Sequence, residues 1–89
     1  MEFELAEVYD AEGEAEKAIA EFLKLSYLFP NNMVYMDRAR LRAAKLLEDL
    51  NKYGEAVKVY EKIAASRSNQ ADFAKDRIKK IETLQQQGG

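Results

Sequence analysis

The chain predicts an all-α fold of two similar helical hairpins followed by a fifth helix. Three observations carry that expectation. Ala18-x3-Phe22 recurs as Ala56-x3-Tyr60 thirty-eight residues later, with Tyr9 and Leu47 each nine residues ahead of the alanine. Apolar residues fall three and four apart over long stretches, the spacing of one helix face. Only four glycines and one proline interrupt 89 residues, which favours long helices over many short strands.

Taken in order, the first helix spans about 2–12 and stops at Gly13, a residue suited to a left-handed cap. The second, about 14–29, places Ala15, Ala18, Ile19, Phe22, Leu25 and Phe29 on one face. Pro30 cannot donate a backbone hydrogen bond and ends it. Asn31 or Asn32 caps a third helix of about 33–50, whose inward residues are Leu41 or Ala43, Ala44, Leu47 and Leu50. After an Asn51–Lys52 turn comes a fourth, about 53–66, with Ala56, Val57, Val59, Tyr60, Ile63 and Ala64 inward. Ser68 or Asn69 caps the last, about 70–86, with an Ala74–Ile78–Ile81 stripe and a fraying tail. The domain is expected to be single, over 1–87, with repeat 1 at about 1–32, repeat 2 at about 33–68, a capping helix at about 69–86 and a flexible tail at 87–89.

Leu5-Ala6-x2-Tyr9, Gly13, Ala18-x3-Phe22 and Pro30 together resemble the tetratricopeptide repeat, a 34-residue helix–turn–helix unit. Ala43-Ala44, Leu47, Tyr53, Ala56 and Tyr60 resemble a second copy. The resemblance implies a right-handed α-solenoid in which small Ala6 and Ala18, then Ala44 and Ala56, meet at helix crossings. Departures are visible: Glu2 and Arg40 occupy the family's tryptophan slot, and Ser68 the second proline slot. The offset of 38 places four extra residues at Met33–Met36, about one more turn on the third helix. Units of that length are similar to those of bacterial envelope repeat proteins, which implies a bacterial periplasmic or cytoplasmic origin. Met1 falls inside the first repeat's pattern, so the chain reads as a fragment of a longer protein.

Chemistry points to binding. Histidine and cysteine are absent, removing the commonest general base, the thiol nucleophile and the usual transition-metal ligands. Serines at 26, 66 and 68 lie in no nucleophile motif. No catalytic residue, cofactor or metal site is expected, and no apolar run approaches the ~20 residues of a membrane span. Arg38, Arg40, Arg42 and Lys45 are dense, but Arg40 points away from the other three. A pI near 5.2 argues against nucleic acid.

A protein or peptide partner is the expected ligand. Residues 1–32 carry eight acids and two bases, whereas 33–89 carry twelve bases and eight acids. The resemblance implies a concave groove lined by the first helix of each hairpin. It would present Glu4, Glu7 and Asp10, then Arg38, Arg42 and Lys45, with Lys75 and Lys79 extending the basic side. Glu7 stands where the family's two-carboxylate clamp needs asparagine, so that specialised function is not expected. The competing reading is solvated helix faces with local pairs such as Glu48–Lys52 and Asp76–Lys80. Two apolar pairs exceed a hairpin's needs. Leu23 and Tyr27 are expected to pack under Met33 and Met36, or else to form an interface. Phe73 and Leu84 are expected to be an interface, with pairing of two copies through the open C-terminal end as one form of it.

Overall fold

The computed structural model describes residues 2–28, 31–66 and 69–87, with side chains described for 4–28, 31–66 and 69–86. Among these, five helices follow in order: α1 (Glu2–Ala11), α2 (Ala15–Leu28), α3 (Met33–Asp49), α4 (Tyr53–Ala64) and α5 (Ala71–Gln87). Each packs chiefly on its neighbours in sequence, giving an α-solenoid with extents of 41 × 31 × 15 Å. The expected roles of Phe29, Pro30 and Ser68, and the Gly88–Gly89 tail, lie outside the described residues.

Both hairpin turns use the same backbone device. Gly13 takes φ 80°, and the Glu14 and Gly13 amides donate to the Tyr9 and Asp10 carbonyls at 2.9 and 3.0 Å. Asn51 takes φ 61°, and the Lys52 and Asn51 amides donate to the Leu47 and Glu48 carbonyls at 2.8 and 2.9 Å. These paired bonds close a helix end and leave one residue in the left-handed region, which glycine and asparagine tolerate best. The two turns lie 38 residues apart, so the sequence repeat is also a backbone repeat. Asn32 caps α3 by accepting from the Tyr35 amide at 3.0 Å, and Met33–Met36 form the added first turn.

Ala6, Ala18, Ala44 and Ala56 are all fully buried, as expected of helix crossings, with Phe22, Leu25, Tyr60 and Ile63 beside them. The expected α3 face was too narrow. Because α3 packs between α2 and α4, it also buries Ala39, Leu46 and Asp37. Leu50 lies past the helix end and is exposed. Asp37 is the one fully buried acid among the described residues. The Ser66 hydroxyl donates to its Oδ2 at 2.6 Å, tying α3 to the segment after α4. Arg40 stands 3.5 Å from its Oδ1, which neutralises charge without making a hydrogen bond.

Helix α5 repeats α3 at an offset of 35. Ala39 and Leu46 correspond to Ala74 and Ile81, and all four are buried. Buried Ala44 and Leu47, however, correspond to exposed Lys79 and Glu82. A polar outer flank of this kind suits a capping helix.

Candidate functional site

Three helices, α1, α3 and α5, lie side by side along one face, and arginines join each to the next. Arg42 of α3 donates to Glu7 at 2.6 Å and to Asp10 at 3.3 Å on α1. Its guanidinium also lies 5.2 Å from the centroid of buried Phe22. One step along, Arg77 of α5 grips Glu48 of α3 with two donors, Nε at 3.3 Å and the terminal Nη2. Glu48 further accepts from the Tyr60 hydroxyl on α4. Asp10 and Glu48 are 38 residues apart, so each inner helix offers an acid at the same level to an arginine from the next.

The arrangement corrects the expected charge gradient. Acidic α1 and basic α3 do not present separate halves to a ligand, because Arg42 is already held by Glu7 and Asp10. Charge reversal at Arg42 therefore strikes the fold as well as any binding. Glu4 and Arg38 are exposed; Arg38 borders a hollow of about 190 Å³ with Leu41, Arg42 and Gln70. Lys45 lies 5.5 Å from the Phe73 ring, and with Glu48, Asp49 and Arg77 they line a depression of about 310 Å³ between α3 and α5.

Phe73 and Arg77 thus face α3. Lys75 and Lys79 are each two residues further on, about 200° around the helix. They point away from α3 and do not extend the basic inner side. Leu84, eleven residues after Phe73, shares its stripe and is 49% exposed. The Phe73–Leu84 flank was expected to await a following helix. Instead Phe73 lies against Lys45 on the inner face, whereas Leu84 lines a separate hollow with Lys79, Lys80 and Thr83. Leu23 packs half-buried against the core. Tyr27 does not pack beneath Met33 and Met36: it is 68% exposed, with Lys62 of α4 5.7 Å from its ring. It faces along the outer helices rather than toward α3.

The local pairs divide. Asp76–Lys80 forms at 3.1 Å, whereas Lys52 leaves Glu48 and meets Glu16 at 3.1 Å. The left-handed Asn51 turns Lys52 off the α3 helix, so helical i,i+4 spacing no longer applies. Sequence placed Glu48 only in a local pair with Lys52, and gave Arg77, Asp37 and Ser66 no structural role. An acid recurring at 10 and 48 was the available signal for the first of them.

Burial first, and the hydrogen bond to Glu48 second, push the Tyr60 hydroxyl well above its ordinary value near 10. The folded chain keeps that proton where the unfolded chain loses it. The resulting stability is full below pH about 10 and declines as pH rises further. Glu48 and Arg77 are the charges facing this hydroxyl. Urea midpoints measured from about pH 8 to 11 should fall for the parent and fall less for Tyr60→Phe. Parallel curves would show that Tyr60 does not couple folding to alkaline pH.

Stacked hairpins with one face of parallel, cross-braced helices define a tetratricopeptide-like helical-repeat scaffold. The family model described as "Soluble NSF attachment protein, SNAP" matches residues 1–81, and the chain belongs to that family. Alpha-soluble NSF attachment protein of Dictyostelium discoideum is 34% identical over 65 residues. That match covers 71% of this chain and 22% of the relative, so the chain spans under a quarter of that protein's length. This relative is eukaryotic, and these matches lend no support to the expected bacterial type. No solved structure matches. Among the described residues no helix is long and apolar enough to cross a membrane.

Proposed function

We propose that the chain is a segment of a non-enzymatic adaptor that binds a protein partner on the inner face, at its α3–α5 half. The carrying observation is the depression where Lys45, Phe73 and Arg77 converge beside Glu48. It offers an exposed cation and a partly exposed ring on helices held in place by the Arg77–Glu48 bridge. The α1–α3 half is neutralised internally and contributes rigidity. The relative's name records attachment to NSF, which makes an NSF-type protein the first partner to test. Pairing of two copies through α5 is the alternative, and Lys75 and Lys79 on its end flank weigh against it.

Titration with NSF should give binding that weakens with salt, as for partly exposed charges. Lys45→Glu combined with Phe73→Ala should reduce affinity by about tenfold or more, since aromatic anchors and charges dominate such contacts. Both side chains are exposed, so the melting temperature should barely change. Full affinity in that double variant would refute the inner-face site. Sedimentation should find a monomer across the same concentrations.

A further inference from the structure

We propose that the α3–α5 depression recognises a partner segment carrying one acid and one base about a helical turn apart, with Asp49 reading the base. The proposal rests on the inner-face reading above and adds to it the charge pattern of the partner. Lys45, Glu48, Asp49 and Arg77 line the depression together with Phe73. Glu48 and Arg77 are bound to each other, and Glu48 also accepts from Tyr60, so their charges are already answered. Lys45 and Asp49 remain. Both are exposed and lie four residues apart on α3, and among the described residues neither forms an ion pair. The depression is thus close to neutral in sum, with a positive end at Lys45 and a negative end at Asp49.

Asp49 is poorly placed for the free chain. It is the last residue of α3, where the helix dipole is negative, and no base stands in that last turn. Its order with Lys45, base before acid, is the weaker one for a helical i,i+4 pair. The neighbouring acid at the same helix end, Glu48, has drawn in Arg77 from α5. A base brought by a partner does for Asp49 what Arg77 does for Glu48. An acid one turn along the same segment then meets Lys45, and an apolar side chain between them covers the exposed part of Phe73. A uniformly acidic segment satisfies Lys45 but is repelled by Asp49, and a uniformly basic one the reverse. Selection is therefore by pattern rather than by net charge.

The test uses the whole 89-residue chain and three synthetic helical peptides. All share one leucine anchor and differ at two flanking positions, which carry Glu and Lys, Glu twice, or Lys twice. The mixed peptide should bind at least about fivefold more tightly than either other, the scale of one exposed ion pair. It should shift the amide signals of Lys45, Asp49 and Phe73. Asp49→Lys should invert the preference in favour of the two-glutamate peptide. Asp49→Asn should weaken the mixed peptide while leaving the urea midpoint equal to or above the parent's, because it removes a carboxylate from a negative helix end. A lowered midpoint would make Asp49 a structural acid and overturn the proposal. If the two-glutamate peptide binds the parent as tightly as the mixed one, with shifts at Lys45 and Phe73, the charge pattern is wrong and the inner-face site stands. Shifts confined to other surfaces, or no binding by any of the three, would overturn both.

Discussion

Phe22→Ala should lower the stability of the chain by about 3–5 kcal/mol and shift its urea midpoint sharply downward. The Phe22 ring is fully buried, and the Arg42 guanidinium that bridges to α1 rests against it. Truncation removes its transfer energy and leaves a cavity, together about 3–5 kcal/mol. A chain of this size has a total stability of roughly 4–13 kcal/mol, so the loss takes most or all of the smaller estimate. It also withdraws the surface on which Arg42 is positioned for Glu7 and Asp10. Urea titration followed by circular dichroism is the check, with Leu28→Ala, at an exposed position, as control. A Phe22→Ala midpoint matching that control would contradict the packing of the first hairpin.

Glu48→Ala should be the costliest change among the charged residues of the inner face. It strands the hydroxyl of fully buried Tyr60 and leaves Arg77 without its two-donor acceptor. Hydrogen bonds to charged groups contribute about 1.5–3 kcal/mol, and a buried donor left unmade costs more than an exposed one. A loss of about 2–3 kcal/mol is expected. Glu16→Ala removes an ion pair of similar length, yet both partners are well exposed, and such pairs contribute about 0–1 kcal/mol. Comparing the two variants by urea midpoint tests the argument directly. Equal small losses would mean that the Tyr60–Glu48–Arg77 cluster does not brace the stack.

What could be read before the structure was whatever local chain geometry dictates. The 38-residue register, the four crossing alanines and the Phe22–Tyr60 correspondence follow from helical period and side-chain size. Asn32 as cap and Gly13 as turn follow from backbone chemistry. The inner-face bridges do not. Arg42 reaches acids 32 and 35 residues away, and Arg77 reaches one 29 away, across a gap set by how two hairpins stack. Helical spacing within one element says nothing about that gap. The misread Glu48–Lys52 pair has the same origin at shorter range, because one left-handed residue was enough to break the period. Phe73 was assigned to an open end because helical spacing sets it on a flank of the last helix, beside the Ala74–Ile78–Ile81 stripe. Its orientation toward Lys45 depends on the rotation of α5 against α4, which buried Ala74 and Ile81 decide.

Because each helix chiefly touches its neighbours in sequence, the molecule is connected almost in one dimension. Short-range connectivity of this kind lowers the entropy of assembly and favours fast folding. It also limits how far a disturbance travels. A change in the first hairpin reaches α4 and α5 mainly through the seam between α2 and α3 and the arginine bridges along the inner face. Those bridges skip a helix, as do the Glu16–Lys52 and Tyr27–Lys62 contacts between α2 and the α4 side. They let the two hairpins answer to each other, where otherwise each would melt largely on its own account.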